Sequence, residues 1–279
     1  MQKQVELSMV LRDAVENHPL LSKYFQILTT KDLIPADYRQ SGVEEPTQSG
    51  LERMQEAWEQ DEFVLDPSRV TLYIGHTGVD GDTFRHEHLM NRYGIQVNKT
   101  SRNTVLFMTN IGTTRSSVAY LISVLVMLAQ ELEDEVERMG PIDRRAHDRR
   151  VTSLTSQPPP LPDFSAFHRR FRGDPRGETP EGDMRGAFFM AYDDRLCEYL
   201  TPEEAWERVN HGREVVSATF VTPYPPGFPI LVPGQVISRD ILAFMRALDV
   251  REIHGYLSGL GYRVFTEEAL TPTTPPHDE

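Results

Sequence analysis

The sequence predicts a mixed α/β (α+β) chain, because short runs rich in β-branched residues alternate with segments of helical periodicity. The clearest stretch is 70–139, where a strand, a helix, two strands and a long helix follow one another. That βαββα order is typical of a small α/β sandwich in which helices pack on one sheet. With 279 residues, 39% of them apolar, the chain is long enough for one or two domains with a hydrophobic core.

The first 66 residues are predicted to be mainly helical. Apolar residues recur at helical spacing over 4–28, and Pro19 divides them into two helices or breaks one. Prolines and glycines over 35–50 indicate a loop, and 51–60 is predicted to be a short helix.

The patterned stretch begins with a predicted strand at 70–74. A helix capped by Asp82 or Thr83 is expected to end at Gly94, where glycine suits a left-handed stop. Two further strands are predicted at 95–98 and 104–109.

A long helix is predicted over 115–139. The turn Gly112-Thr113-Thr114 opens it and Gly140-Pro141 ends it. Such a turn offers backbone N–H groups, and Arg115 a guanidinium, to a carboxylate or phosphate. A plain helix cap explains the same residues, so both interpretations stay open.

The second half begins with a predicted Pro/Gly/Arg-rich connector at 141–185. Thr201, with Pro202 and Glu204 after it, has the composition of a capping box and predicts a helix. The remaining predicted elements are a strand at 215–221, a rigid proline-rich loop at 222–235, a helix at 239–247 and a disordered tail at 271–279.

Charge and composition exclude several functions. The net charge of −13 disfavours nucleic acid or an anionic membrane as the main partner, because the long-range field has the wrong sign. One cysteine, Cys197, excludes an intrachain disulfide and is compatible with a reducing cytoplasm. We see no signal peptide, and the longest apolar run, 117–129, is too short to span a bilayer.

Local motifs do not make a catalytic centre. His76, His86 and His88 lie close in sequence, but His86 and His88 are two residues apart, so helical geometry points them to different sides. We therefore favour surface histidines over a metal site. No G-x-S-x-G, C-x-x-C or G-x-G-x-x-G motif occurs.

Two segments carry a family resemblance. GIQVNKTSRNTVLFMTNIGTTRSSVAYLI (94–122) and TPYPPGFPILVPGQVIS (222–238) resemble segments of bacterial ornithine/lysine/arginine decarboxylases. These are large pyridoxal-phosphate (PLP)-dependent enzymes of the aspartate-aminotransferase-like fold. The resemblance covers about 4–265 and implies four parts: the end of the large PLP-binding domain (1–66), the small domain (67–140), a connector (141–185) and the separate C-terminal decarboxylase domain (186–270).

The resemblance also implies that this chain lacks the catalytic core. The family's PLP-binding lysine lies in a Ser-x-His-Lys segment, and Lys3, Lys23, Lys31 and Lys99 all lack that setting. The aspartate and stacking histidine that hold the PLP ring also lie upstream in the family. We therefore expect no PLP binding and no decarboxylation by this chain alone.

A lysine-bearing chain or paralogue is the expected partner, in a homo- or hetero-oligomer. Without it, the large-domain remnant is expected to expose the apolar residues Leu20, Leu21, Phe25 and Leu28. A non-catalytic module that oligomerises with, or regulates, a full-length paralogue is the alternative function.

The resemblance places six residues near the substrate. They are Thr100, Arg102, Thr104 and Arg115 on the carboxylate side, and Tyr224 and Gln235 on the side-chain side. Several relatives have an acidic residue where Gln235 stands, and a neutral amide forms no ion pair with a distal ammonium or guanidinium. The sequence therefore leaves open which basic amino acid is the substrate.

Overall fold

The structure is a computed structural model that describes residues 2–43, 51–172, 182–224, 227–248 and 252–271. Five parts of the sequence predictions lie outside these residues: 44–50 of the loop at 35–50, 173–181 of the connector, 225–226 of the proline-rich loop, 249–251 of the C-terminal domain and 272–279 of the tail. The chain divides into two compact units, Met1–Pro158 and Pro159–Glu279. Both units contain helices and small antiparallel sheets, one sheet in the first unit and two in the second, so the predicted mixed fold class is confirmed.

The first unit contains one sheet and eight α-helical segments within its described residues. Its strands are β1 (Gln26–Ile27), β2 (Arg69–Tyr73), β3 (Lys99–Thr100) and β4 (Thr104–Met108). Its helices are α1 (Gln2–Asn17), α2 (Leu21–Tyr24), α3 (Thr30–Leu33), α4 (Leu51–Gln60), α5 (Gly81–Thr83), α6 (Asn91–Tyr93), α7 (Arg115–Arg138) and α8 (Pro141–Ser156), with a π-helical stretch, Phe84–Met90, between α5 and α6.

The sheet has the antiparallel order β1-β2-β4-β3. Val70 pairs with Phe107 and Leu72 with Val105, and all four side chains are buried. Because successive side chains on a strand point to opposite faces, this register directs one apolar face of the sheet into the core. Helices α1 and α7 supply much of the rest of that core.

The N-terminal segment belongs to the same core. Leu21 and Phe25 are buried beside the sheet and α7, whereas Leu20 and Leu28 are half-buried. The expected exposed apolar surface at these residues is therefore wrong. Its physical reason is that β1 pairs with β2, which makes this segment a layer of the first unit. The predicted boundary at residue 66 accordingly falls inside a compact unit.

Two predicted boundaries in this unit differ from the structure. Asp80 caps α5 by accepting a hydrogen bond from the Thr83 backbone N–H at 3.0 Å, in place of Asp82 or Thr83. The third strand is Lys99–Thr100 instead of 95–98, because the ladder to β4 begins only where Asn98 N donates to Leu106 O. Gly94, with φ 68°, ends the helical stretch as predicted.

Helix α8 occupies the first half of the predicted connector. Gly140 caps it and Pro141 is its first residue, a position where proline's missing N–H and fixed φ favour a helix. Residues Pro141–Ser156 of the predicted connector are therefore helical. The Gly-Pro pair both ends α7 and begins α8.

Helix α7 matches the prediction closely and adds one observation. Within the described ranges it is the one helix whose length and composition would allow it to cross a membrane. The buried core helices of many soluble proteins meet the same criteria of length and composition. Five of its apolar residues are buried in the first unit: Val118, Val124, Leu125, Leu128 and Ala129.

The second unit contains a three-stranded sheet, β5-β9-β8, and a two-stranded sheet, β6-β7. Its strands are β5 (Cys197–Leu200), β6 (Thr222–Tyr224), β7 (Glu252–His254), β8 (Tyr256–Leu257) and β9 (Gly261–Phe265). Its helices are α9 (Met184–Met190), α10 (Pro202–Asn210), α11 (Arg239–Ala247) and α12 (Glu267–Leu270).

Sequence reasoning was right for α10 and α11. The capping box of Thr201 and Glu204 is present, and α11 has the predicted bounds. The predicted strand at 215–221 is instead extended backbone held by isolated bridges, such as Val216 to Val236 and Val221 to Leu231. It has no continuous ladder because its bridging partners change from residue to residue.

His168 anchors the segment before α9. It is buried, and its Nδ1 accepts a hydrogen bond from the Arg170 backbone N–H at 3.2 Å. Burial lowers the pKa of His168 below 6.5, although Glu214, 3.5 Å from Nε2, acts in the opposite direction. The neutral ring is therefore the form that the fold stabilises.

We expect Gly81→Ala to destabilise the first unit. A Cβ atom there would lie 1.9 Å from the Ser101 carbonyl oxygen, which belongs to backbone and moves only with the β3–β4 turn. The expected loss is about 1–3 kcal/mol of unfolding free energy, measured by urea denaturation. Gly259→Ala is the matched control, because its Cβ would meet nothing within 4 Å. Equal stability of the two variants would contradict the close packing at Gly81.

We expect the stability of the second unit to fall as the pH drops below about 6.5, the ordinary pKa of histidine. The unfolded chain then binds a proton at residue 168 that the folded chain resists, so the free energy of unfolding falls with a slope of up to about 1.4 kcal/mol per pH unit. His168→Asn, which keeps an acceptor for the Arg170 N–H, should show a smaller slope in urea melts between pH 5 and 8. Identical slopes would contradict this assignment.

Candidate functional site

The turn between β3 and β4 holds three of the six predicted site residues. Thr100 pairs with Val105 on the core face, is 2% exposed, and its Oγ1 has no hydrogen-bond partner among the described residues. Thr104 lies across the turn, where its Oγ1 is 2.6 Å from Ser101 Oγ. Thr100 is therefore buried within the first unit, whereas Thr104 is half-buried at the end of the turn.

Arg102 is engaged with helix α8. Its Nη1 donates to the Ser153 carbonyl at 2.8 Å and its Nη2 to Ser153 Oγ at 2.7 Å. The neighbouring Asn103 donates from Nδ2 to the Leu154 carbonyl at 2.8 Å. These bonds satisfy carbonyls in the last turn of α8, where the helix itself provides no donor. Arg102 thus positions α8 in this structure.

Arg115 lies at the opposite end of β4. It is the first residue of α7 and is exposed. Thr104 and Met108 are four residues apart on β4, which corresponds to about 14 Å at about 3.4 Å per residue. The structure therefore does not bring Arg115 together with Thr100, Arg102 and Thr104.

The turn before α7 is a helix cap. Thr114 and Ser117 form a capping box, and Gly112 N donates to Asn110 Oδ1 at 2.8 Å. The Thr114 N–H donates to Ser117 Oγ at 2.9 Å. Because side chains already satisfy these N–H groups, the plain-cap interpretation fits the turn better than an anion cradle.

In the second unit, Gln235 is buried, and both polar atoms of its amide form a hydrogen bond. Its Oε1 accepts from Val232 N at 2.9 Å, and its Nε2 donates to the Phe164 carbonyl at 3.0 Å. The amide thus joins the turn at 232–235 to Phe164. An isolated β-bridge between Phe167 and Gln235 links the same two segments a second time. A glutamate carboxylate at position 235 could not donate a hydrogen bond to the Phe164 carbonyl. The local structure therefore favours glutamine at this position.

Tyr224 ends strand β6 and is half-buried. Its ring lies 6.3 Å from the His254 imidazole in an edge-on arrangement, across the β6–β7 pair. The loop that follows leaves Phe228 51% exposed. The strand pairing therefore holds Tyr224, while Phe228 faces solvent.

The lysines present do not fit the PLP-binding role. All four are exposed, and Lys23 forms an ion pair with Glu133 on the surface. A lysine that condenses with an aldehyde must lose its proton, which proteins promote by burying the amine.

The described residues contain no group of three or more side chains able to hold a metal ion. His86 Nε2 lies 3.4 Å from Asp82 Oδ1, four residues earlier in the chain.

Sequence reasoning missed the residues of α8 that meet the β3–β4 turn. Ser153 and Leu154 accept the hydrogen bonds of Arg102 and Asn103, and Leu154 is buried. The signal was present in Gly140-Pro141, because proline is favoured at the first position of a helix as well as after a helix end.

Comparison with known proteins shows that this chain is similar to bacterial decarboxylases of basic amino acids. Residues 191–258 match the family described as Orn/Lys/Arg decarboxylase, C-terminal domain. The constitutive lysine decarboxylase of Escherichia coli K12 is 26% identical over 216 residues, covering 67% of this chain and 28% of the relative. An arginine decarboxylase of Halalkalibacterium halodurans is 23% identical over 187 residues, covering 66% and 29%. The chain thus spans less than a third of the length of these relatives.

Solved structures agree on the fold. The lysine decarboxylase of Francisella novicida superposes with a TM-score of 0.56 at 18% identity, covering 95% of this chain and 40% of that chain. Lysine decarboxylase A of Pseudomonas aeruginosa gives 0.54 at 16% identity, covering 95% and 39%. Residues 191–258 thus match the C-terminal domain of Orn/Lys/Arg decarboxylases, and the chain is similar in sequence to the C-terminal portion of these enzymes and shares their fold.

Proposed function

We propose that this chain is the C-terminal portion of a PLP-dependent decarboxylase of basic amino acids, inactive alone and completed by a lysine-bearing chain. The observation that carries the proposal is the exposure of all four lysines in a chain that spans 28% of its lysine-decarboxylase relative. In this proposal the cofactor and the reacting lysine belong to the partner, and the assembly works in the cytoplasm.

The chain's own contribution would be substrate positioning. Arg115 is exposed at the start of α7, whereas Arg102 is bonded to Ser153. We therefore place the substrate carboxylate nearer to Arg115, since a guanidinium binds a carboxylate with two parallel hydrogen bonds. Tyr224 remains the candidate on the side-chain side. Thr100 and Gln235 would support these residues from within the core.

A non-catalytic regulatory or oligomerisation module is the second candidate. The observation in its favour is that each compact unit has a buried core of its own, so the chain has the packing of a folded protein without the lysine-bearing part. Such a module would change the rate of an enzyme that is already active.

We expect the purified chain to release no carbon dioxide from lysine, arginine or ornithine and to retain no PLP in equilibrium dialysis. The physical reason is the absence of an enclosed lysine among its four. Radiometric carbon dioxide release is the measurement, with and without a chain that supplies the large domain. Turnover by this chain alone would contradict the proposal.

An activity assay of this chain mixed with a lysine-bearing chain distinguishes a completing subunit from a regulatory module. A completing subunit restores turnover to a lysine-bearing chain that is itself inactive, and Arg115→Gln should then raise KM by about tenfold or more because one charged hydrogen-bonding partner is lost. A regulator leaves the inactive chain inactive and changes only the rate of an active full-length enzyme. Arg149→Gln, at an exposed position on α8, is the control.

We expect Gln235→Glu to destabilise the second unit by about 1–3 kcal/mol, because the Phe164 carbonyl loses its donor and a carboxylate takes the place of the buried amide. Gln130→Glu, at an exposed position, is the matched control. Thermal melts followed by circular dichroism provide the comparison. An unchanged melting temperature for Gln235→Glu would contradict the supporting role assigned to this amide.

A further inference from the structure

Two arginines of the second unit stack on one tryptophan. The guanidinium carbon of Arg246 lies 4.6 Å from the centroid of the Trp206 ring, and that of Arg239 lies 5.4 Å from it. Both arginines are exposed, and Trp206 is half-buried against the core of the unit. Because the face of an aromatic ring attracts a cation, the indole holds both guanidinium groups at the surface. These three side chains make up the Trp206 surface.

Two helices fix this arrangement. Ser238 caps α11 by accepting a hydrogen bond from the Ile241 backbone N–H at 3.1 Å, so Arg239 is the first residue of the helix. Seven residues are almost two helical turns. Arg239 and Arg246 therefore lie on one face of α11, about 10 Å apart along its axis. Trp206 comes from α10, whose capping box sets where that helix begins.

Both guanidinium groups keep N–H donors for a ligand. Neither forms an ion pair or a hydrogen bond with a carboxylate of the described residues. By contrast, Arg208 of the same α10 donates to both carboxylate oxygens of Glu198, at 2.6 and 2.9 Å. A guanidinium carries its five donors in one plane, and stacking on a ring leaves the edges of that plane accessible. The Trp206 surface thus presents two preorganised cations to an anionic ligand.

An acidic peptide segment suits this surface better than a single small anion. One exposed ion pair contributes little in water, whereas several carboxylates on one segment bind together. Tryptophan and arginine are also enriched among the residues that dominate the binding energy of protein interfaces. We propose that Trp206, Arg239 and Arg246 form a binding surface for a segment of another protein that carries several aspartate or glutamate side chains.

Charge favours a short acidic segment over a nucleic acid. The chain has a net charge of −13, so it repels a long polyanion, and two arginines neutralise few phosphates. A short acidic segment carries fewer charges and is repelled less. Its carboxylates can pair with Arg239 and Arg246 while its aliphatic carbons cover the half-buried indole of Trp206.

The test is a fluorescence titration of the full chain in a Trp58→Phe background, where Trp206 is the remaining tryptophan. The probe is an octaglutamate peptide at about 50 mM salt, a concentration that screens surface charges weakly. Since a bound peptide covers the indole, Trp206 emission should change until it saturates. Arg239→Gln combined with Arg246→Gln should raise the Kd by about tenfold or more, because both charged donors are lost.

Arg185→Gln is the matched control. Arg185 is also exposed and stacked on an aromatic ring, with its guanidinium carbon 5.8 Å from the centroid of Phe189. The change removes a similar charge from another helix of the same unit and leaves the Trp206 surface intact. The Kd for octaglutamate should therefore change by less than about twofold. Circular dichroism checks that each variant is folded.

Three results would overturn the proposal. The first is a Trp206 emission that octaglutamate does not change in a saturable way, and the second is an equal Kd for the double variant and the parent chain. The third is binding of octathymidylate or inorganic phosphate at least as tight as that of octaglutamate, which would assign the surface to phosphate groups. None of these measurements uses activity, so the outcome is independent of the decarboxylase function.

Discussion

The pairing of β2 with β4 is the constraint on which the first unit depends. Its register places Val70, Leu72, Val105 and Phe107 on one face, and a shift by one residue would turn all four toward the other face. The buried helices gain their apolar contacts only in the observed register. The same register sets where β4 begins and ends, and hence where the β3–β4 turn and Arg115 lie.

The β3–β4 turn depends directly on that pairing. Gly81 approaches the Ser101 carbonyl so closely that a side chain has no room, and Arg102 and Asn103 bond to the last turn of α8. The turn is thus held on one side by the close approach of Gly81 and on the other by side-chain hydrogen bonds to α8. Contacts on both sides keep Thr104 in a defined position.

The second unit uses polar bonds for a similar purpose. Buried Gln235 and His168 both act within it, the first through its amide and the second as a neutral acceptor. Each is satisfied by backbone groups a short distance away, so each costs little to bury and much to replace. In the structure, the Gln235 amide therefore links the turn at 232–235 to Phe164.

The sequence by itself determined the mixed fold class, helices α7, α10 and α11, and the relationship to basic amino-acid decarboxylases. These follow from local signals such as the Thr201–Glu204 capping box and the apolar period of α7, which need no distant partner. Only the tertiary structure decided that Leu21 and Phe25 are buried, that Pro141–Ser156 is a helix packed on the first unit, and that Arg115 lies apart from Arg102. Those outcomes depend on contacts between residues far apart in sequence, such as β1 with β2 and Arg102 with Ser153, and local periodicity contains no record of such contacts.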